Sequence, residues 1–393
     1  MITIFLTPKI IVMSHSEKNY LPQLTWLRGI AALLVIVSHC VRTTESPYSS
    51  IDSPSDIILF NSLDLGSFAV TLFFCLSGAT LYLNHKNDRT LSDTASFIVK
   101  RIFRIYPAFI FAIFAYVLLG NIYIGWYGEP KGIWIDNIAL PYSSVDVFMH
   151  LFLLYDLIGN PYIINGAFWS LPVEFRYYLL FPLALFLMRK SGAWPVIALS
   201  MILACSVYFM SWKPSMPHFF LLAPSFFGGM LAAYFYEKKG SPLKFGPFII
   251  LFSFGLASLV WGFREDLPNQ YKVLRYYNIN ILLCISIVYF SLRTNVINYN
   301  ENTKMILGFL GNVSYSLYLL HQLVLTFVFI LCMRLGITGD AKIIFIFPIT
   351  VAIALLLAWA SYRYIEKPGV KLGRYIIEKY KIIKIRKALK EDF

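Results

Sequence analysis

Charge is what this sequence has little of. Only 14% of its 393 residues are Asp, Glu, Lys or Arg, while 58% are apolar; soluble domains average about 25% and about 45–50%. Acidic residues are the scarcer sign, 21 against 34 Lys and Arg. Cysteine is scarce as well. The five, Cys40, Cys75, Cys205, Cys284 and Cys332, lie scattered in or beside apolar blocks with no Cys-x-x-Cys pair. That excludes zinc spacing and a disulfide framework and leaves them as small core residues. A Walker loop and a dinucleotide glycine pattern are missing, as is a Ser-His-Asp triad on a nucleophile elbow. No metal site and no permanently bound cofactor are expected.

What is there is apolar blocks near 20 residues long, the length that crosses a hydrocarbon core, and a mean hydropathy of +0.65. The expected fold is all-α, a polytopic membrane helix bundle with about ten spans, at about 24–41, 65–84, 104–124, 167–188, 193–212, 218–236, 245–263, 274–292, 306–332 and 342–364. Cationic flanks test this count. Lys86, Arg89, Lys100 and Arg101, then Arg189 and Lys190, Lys238 and Lys239, and Arg293 all fall on one side, and the positive-inside rule makes that side cytoplasmic. Both termini are then cytoplasmic. The net charge of +13 does not imply nucleic acid, because nine Lys or Arg follow the last apolar block, between Lys367 and Lys390. They read as a tail facing water or anionic headgroups. Residues 1–23 form a short N-terminal segment, 24–366 the membrane domain and 367–393 the basic tail. The apolar run within Met1 to Met13 is too short for a span and lacks a cleavage site, so it is not read as a signal peptide; Met13 is an alternative start. Val145 to Ile158 is apolar but short, and an eleventh span there would invert every later flank. It is expected to be interfacial or re-entrant.

Ionisable residues inside such a bundle are costly and mark candidate sites. Arg28 and His39 stand eleven residues apart in the first block, three helical turns, so they share a face about 16 Å apart along the axis. His39, with an ordinary pKa near about 6.5, can take and return a proton at neutral pH; an interfacial histidine bonded to a backbone is the alternative. Glu174 is expected at a depth similar to His39, either orienting that imidazole or pairing with Arg176 or another cation. Arg101 and Arg104 sit three apart at the mouth of the third block and share a face, which suits bidentate phosphate binding or simple topology anchoring. With Arg28 they make three arginines at one mouth. Ser77 and Gly78 belong to Ser77-Gly78-Ala79-Thr80, where small residues imply close helix packing or a thin wall beside an acyl-carrying chain. Tyr315, Tyr318 and His321 recur at intervals of three along one stripe, structural or catalytic. Ser361 to Pro368 reads as a helix terminus with a structural charge cluster.

Together these elements resemble the membrane acyltransferase-3 family, over nearly the whole chain from Leu27-Arg28-Gly29 to Ile365-Glu366-Lys367-Pro368. The resemblance rests on Arg28 and His39, on Phe73-Phe74-Cys75-Leu76-Ser77-Gly78, on Arg101 and Arg104 before Tyr106-Pro107, on Trp169-Ser170-Leu171-Pro172-Val173-Glu174, and on Ser314-Tyr315-Ser316-Leu317-Tyr318-Leu319-Leu320-His321. Many relatives have a second acid after the glutamate, where this chain has Phe175 and Arg176, so only Glu174 is carried over. Some add a soluble hydrolase-like domain, which here would have to be a separate protein.

The resemblance implies an acyl-coenzyme A donor taken from the cytoplasm, transfer to a glycan hydroxyl outside, and His39 as the main catalytic residue. The expected function is an O-acyltransferase, most simply an O-acetyltransferase, of a surface polysaccharide or its lipid-linked precursor in the bacterial cytoplasmic membrane. His39 and Glu174 would be catalytic; Arg28, Arg101, Arg104, Ser77 and Gly78 would hold acetyl-CoA, a co-substrate. Partners would be that donor, the glycan acceptor and membrane lipids, with a homo-oligomer left open. A transporter or flippase of a lipid-linked glycan is the alternative.

Overall fold

The computed structural model describes residues 21–42, 65–127, 142–157, 164–206, 217–238, 269–293, 299–337 and 342–391. Every regular element among them is helical: α1 (Pro22–Arg42), α2 (Leu65–His85), α3 (Leu91–Tyr127), α4 (Ser144–Leu151), a 3-10 turn (Gly166–Trp169), α5 (Ser170–Ser191), α6 (Trp194–Ser206), α7 (Pro217–Leu221), α8 (Ala223–Glu237), α9 (Asn269–Arg293), α10 (Glu301–Arg334), α11 (Lys342–Ser361), a π turn (Tyr362–Glu366) and α12 (Lys367–Glu391). Among the described residues, seven stretches are long and apolar enough to cross a membrane, and Trp194–Ser206 and Asn280–Arg293 are shorter apolar helices. Large side chains such as Phe114, Leu118, Phe186, Ile202, Phe290 and Leu356 are exposed. In water that surface would associate; in lipid it meets its own solvent. The chain is a multi-pass membrane protein. The expected span at 245–263 lies outside the described residues, as do the initial Met1 to Met13 stretch and the last residues of the expected span at 193–212.

Two helices run past their expected ends. α3 begins at Leu91 rather than near 104, because Thr90 and Asp93 make a reciprocal cap: the Thr90 backbone N–H donates to the Asp93 carboxylate at 3.0 Å and the Asp93 N–H to the Thr90 hydroxyl at 3.1 Å. At the other end of the chain, Ser361 to Pro368 is not a terminus. α11 passes through the π turn directly into α12; the Lys367 N–H reaches back to the Tyr362 carbonyl, so the wider spacing of the π turn lies immediately before Pro368. The eight residues of α4, capped by Ser143 and Asp146, are too few to span, as expected for that segment. It is tied down by Asp156, which takes both guanidinium nitrogens of Arg176 at 2.5 and 2.6 Å, and by the Tyr155 hydroxyl on the Phe168 carbonyl at 2.6 Å.

The bundle closes at glycines. A Cβ on Gly78 would stand 1.9 Å from the Phe226 carbonyl oxygen, and one on Gly229 the same distance from that of Cys75, so α2 and α8 touch backbone to backbone. Contacts of this kind hold membrane helices together where no hydrophobic force between them remains. Gly78 therefore serves the α2–α8 seam, the close-packing alternative for this stretch.

Gly78→Ala and Gly229→Ala are each expected to force that seam apart, destabilising by roughly 1–3 kcal/mol as overpacking does. Gly308→Ala, where a Cβ meets nothing within 4 Å, is expected to be neutral. The thermal midpoint of the purified protein in detergent checks all three.

Candidate active site

α1, α2, α3, α5 and α10 surround a cavity of about 750 Å³, counting the space open to solvent, and all three candidate arginines line it, with Ser77 and Glu174. Arg28 comes from the first turns of α1, and Arg101 and Arg104 from one face of α3. The three do not have the same surroundings. The Arg101 guanidinium lies over the Tyr178 ring at 5.5 Å and the Phe97 ring at 5.6 Å, while its Nε is buried with no hydrogen-bond partner. Stacking on aromatic faces partly offsets desolvation of the cation, and the orphaned Nε–H leaves a donor unmet inside the cavity wall.

Arg104 has an internal anion. It pairs with Glu366 of the π turn, whose other oxygen accepts from the Ser316 hydroxyl at 2.8 Å, and its guanidinium lies 5.7 Å from the Tyr315 ring centre. Arg104 thus reaches the cavity already paired with a buried carboxylate.

Glu174 is in the same cavity. One carboxylate oxygen accepts from Ser77 at 3.2 Å and from Tyr178, one turn farther along α5. Arg176, its other expected partner, belongs to Asp156. The orienting position beside His39 is taken by another residue. His39 Nδ1 is 2.8 Å from His321 Nε2, with ring centres 5.0 Å apart and ring planes 27° from parallel, and His321 Nδ1 is 2.7 Å from the Tyr318 carbonyl oxygen. Tyr318 itself lines the cavity. Its ring meets Phe73 edge-on at 6.0 Å; its hydroxyl donates to the Ala167 carbonyl at 2.6 Å and contacts the Ser170 hydroxyl at 2.8 Å. Ser77, Phe73 and Tyr318 thus share the cavity wall with the arginines; His39 and His321 do not line it, and His321 meets that wall through the Tyr318 carbonyl.

Sequence reasoning missed Tyr178, Ser170, Glu366 and the meeting of His321 with His39. Signals existed for some: Tyr178 is four residues from Glu174, hence on its face, and Glu366 belongs to the charge cluster already read as structural. That His321 and His39 share a depth could not be read from either helix alone. Among the described residues no group of three His, Cys, Asp or Glu is arranged to hold a metal ion.

A family model described as an acyltransferase domain matches residues 21–363. The acyltransferase MdmB of Streptomyces mycarofaciens is 32% identical over 175 residues, 43% of this chain and 40% of MdmB. A protein of Staphylococcus aureus (strain COL) named as an O-acetyltransferase is 26% identical across 91% of this chain and 59% of its own length. One of Acidianus two-tailed virus named as an acetyltransferase is 26% identical across 78% of this chain and 84% of its own. The chain thus spans 40% and 59% of the length of the first two. No solved structure matches.

Arg104 is 33% exposed and Glu366 0%, so the two halves of the pair are not equivalent. Arg104→Ala strands a fully buried carboxylate, whereas Glu366→Gln leaves a cation that can still reach water. Arg104→Ala is expected to lower the thermal midpoint more, within the several kcal/mol that breaking a buried pair costs (about 3–5). Differential scanning of the two variants gives the order.

Proposed function

The chain belongs to the membrane acyltransferase-3 family, and from that premise we propose that it moves an acyl group, acetyl in the simplest case, from acyl-coenzyme A to a hydroxyl of a surface polysaccharide or its lipid-linked precursor. The observation that carries the reading is the cavity itself, which joins a cluster of guanidinium groups to the wall behind which His39 and His321 stand. The names of the relatives, as O-acetyltransferase and acetyltransferase, favour acetyl. The bacterial cytoplasmic membrane is the proposed location, with the arginine mouth on the cytoplasmic side.

In this reading the donor's phosphates lie against Arg28 and Arg101, whose Nε–H has its hydrogen bond to gain, with Arg104 contributing at the rim. Guanidinium groups suit phosphate because their donors form a planar fork. The slender pantetheine arm follows Ser77 and Phe73 towards Tyr318, and the thioester arrives near His39. A sugar hydroxyl keeps its proton at neutral pH and is a weak nucleophile. His39 takes that proton as the oxygen attacks the thioester carbon. The C–O bond forms, the C–S bond breaks, and the imidazolium returns its proton to the departing thiolate. General-base assistance of this kind contributes roughly 10²–10⁴-fold. Glu174, set among the arginines, balances charge in the donor site and offers an acceptor to a donor N–H.

His39→Ala is expected to lower transfer of label from acetyl-coenzyme A to surface glycan by at least about 10²-fold, with folded protein still in the membrane; undiminished transfer overturns the reading, and glycan movement without donor consumption would instead mark a flippase. Arg28→Ala and Arg101→Ala are expected to raise KM for acetyl-coenzyme A by about tenfold or more while leaving kcat nearly unchanged, the signature of lost uniform binding. Initial rates over a range of donor concentrations check this.

A further inference from the structure

We propose that His321 is the positioning residue for His39, holding it in the tautomer whose basic lone pair is on Nε2; this rests on the reading of His39 as the base. The argument is one of hydrogen-bond direction. A carbonyl oxygen only accepts, so the nitrogen facing it, His321 Nδ1 against Tyr318 at 2.7 Å, carries the proton. In a neutral imidazole the other nitrogen is then an acceptor. That nitrogen, Nε2, is the one 2.8 Å from His39 Nδ1, so His39 Nδ1 is the donor and its proton-accepting lone pair falls on Nε2.

The two histidines are not interchangeable. His321 is 0% exposed and both its nitrogens are engaged, one by a carbonyl and one by His39. Neither remains to receive a proton from a substrate. His39 is half-buried and meets His321 through Nδ1. In the proposed reading the base is on α1 and its support on α10.

The support is itself held rigid. The Tyr116 hydroxyl of α3 donates to the Leu319 carbonyl at 3.2 Å and accepts from the Leu323 N–H at 2.8 Å, bracketing His321 by two residues on either side. Gln322 accepts from the Ala167 N–H at 3.1 Å. A ring fixed in this way determines the orientation of its neighbour, as a carboxylate does in hydrolytic triads. When His39 becomes an imidazolium its Nδ1–H bond to His321 becomes charge-assisted and strengthens, with no second acid required.

The test uses the full chain in membranes, labelled acetyl-coenzyme A as donor, and glycan-bearing membranes from cells lacking the gene as acceptor. His321→Leu removes the acceptor and is expected to lower kcat about 100-fold or more, with KM for acetyl-coenzyme A within twofold. His321→Gln, whose side-chain oxygen can sit where Nε2 does, is expected to recover at least tenfold of that loss. His321→Asn, whose oxygen stops near the Nδ1 position, is expected not to. Wild-type kcat in His321→Leu overturns the proposal. If that variant does not fold, equal kcat in His321→Gln and His321→Asn overturns it. His39→Ala separates the two layers: an active His39→Ala removes the parent reading, whereas an inactive His39→Ala beside a fully active His321→Leu removes this inference alone.

Discussion

A guanidinium group surrounded by hydrocarbon must meet an anion, an aromatic face or water, and this protein arranges three such groups around one cavity. Each has a different arrangement. Arg104 meets the buried carboxylate of Glu366. Arg101 lies over two aromatic rings and keeps one N–H unmet. Arg28 lines the opening with Glu174 nearby in the same wall. The cost of removing such ions from water is several kcal/mol each, and it governs the placement of Glu174, Glu366, Tyr178 and Tyr315. A cavity whose cations are only partly answered from within suits an anion that arrives and leaves.

The remaining architecture follows from keeping that cavity open while the bundle around it is tight. Close backbone contact at Gly78 and Gly229 draws α2 and α8 together on the far side of α2 from the cavity. Ser77, the preceding residue, faces Glu174 instead. Adjacent positions on one helix thus divide the two tasks, since neighbours in sequence point about 100° apart.

Much of the fold was legible because apolar length is a strong signal. Each expected span that falls on described residues meets a helix, and the shared face of Arg101 and Arg104 followed from their spacing. The inaccurate parts concerned ends and partners. α3 starts early because a Thr90–Asp93 cap outweighs the polar composition of its first turns. Ser361 to Pro368 looked like a stop because Pro and charges cluster there, yet the helix continues through a π turn that ends just before the proline. At the site, the residue types were visible but the pairings were not. Nothing along α5 says that Glu174 meets Ser77, or along α10 that His321 meets His39, because such pairings depend on how helices cross and not on either helix's own period.

The π turn at Tyr362–Glu366 deserves to be seen as a phase shifter. One additional residue in a helix rotates everything after it by about 100°. That rotation carries Glu366 to Arg104 and brings Gly369 and Gly373 of α12 against Pro107 and Phe103 of α3. Shortening the turn by one residue would leave the composition and hydropathy of the segment almost untouched. It would also swing the acid away from its cation and present side chains, not glycines, to α3. Along this stretch the count of residues matters more than their identity, and a length change would be felt in the cavity that Arg104 lines.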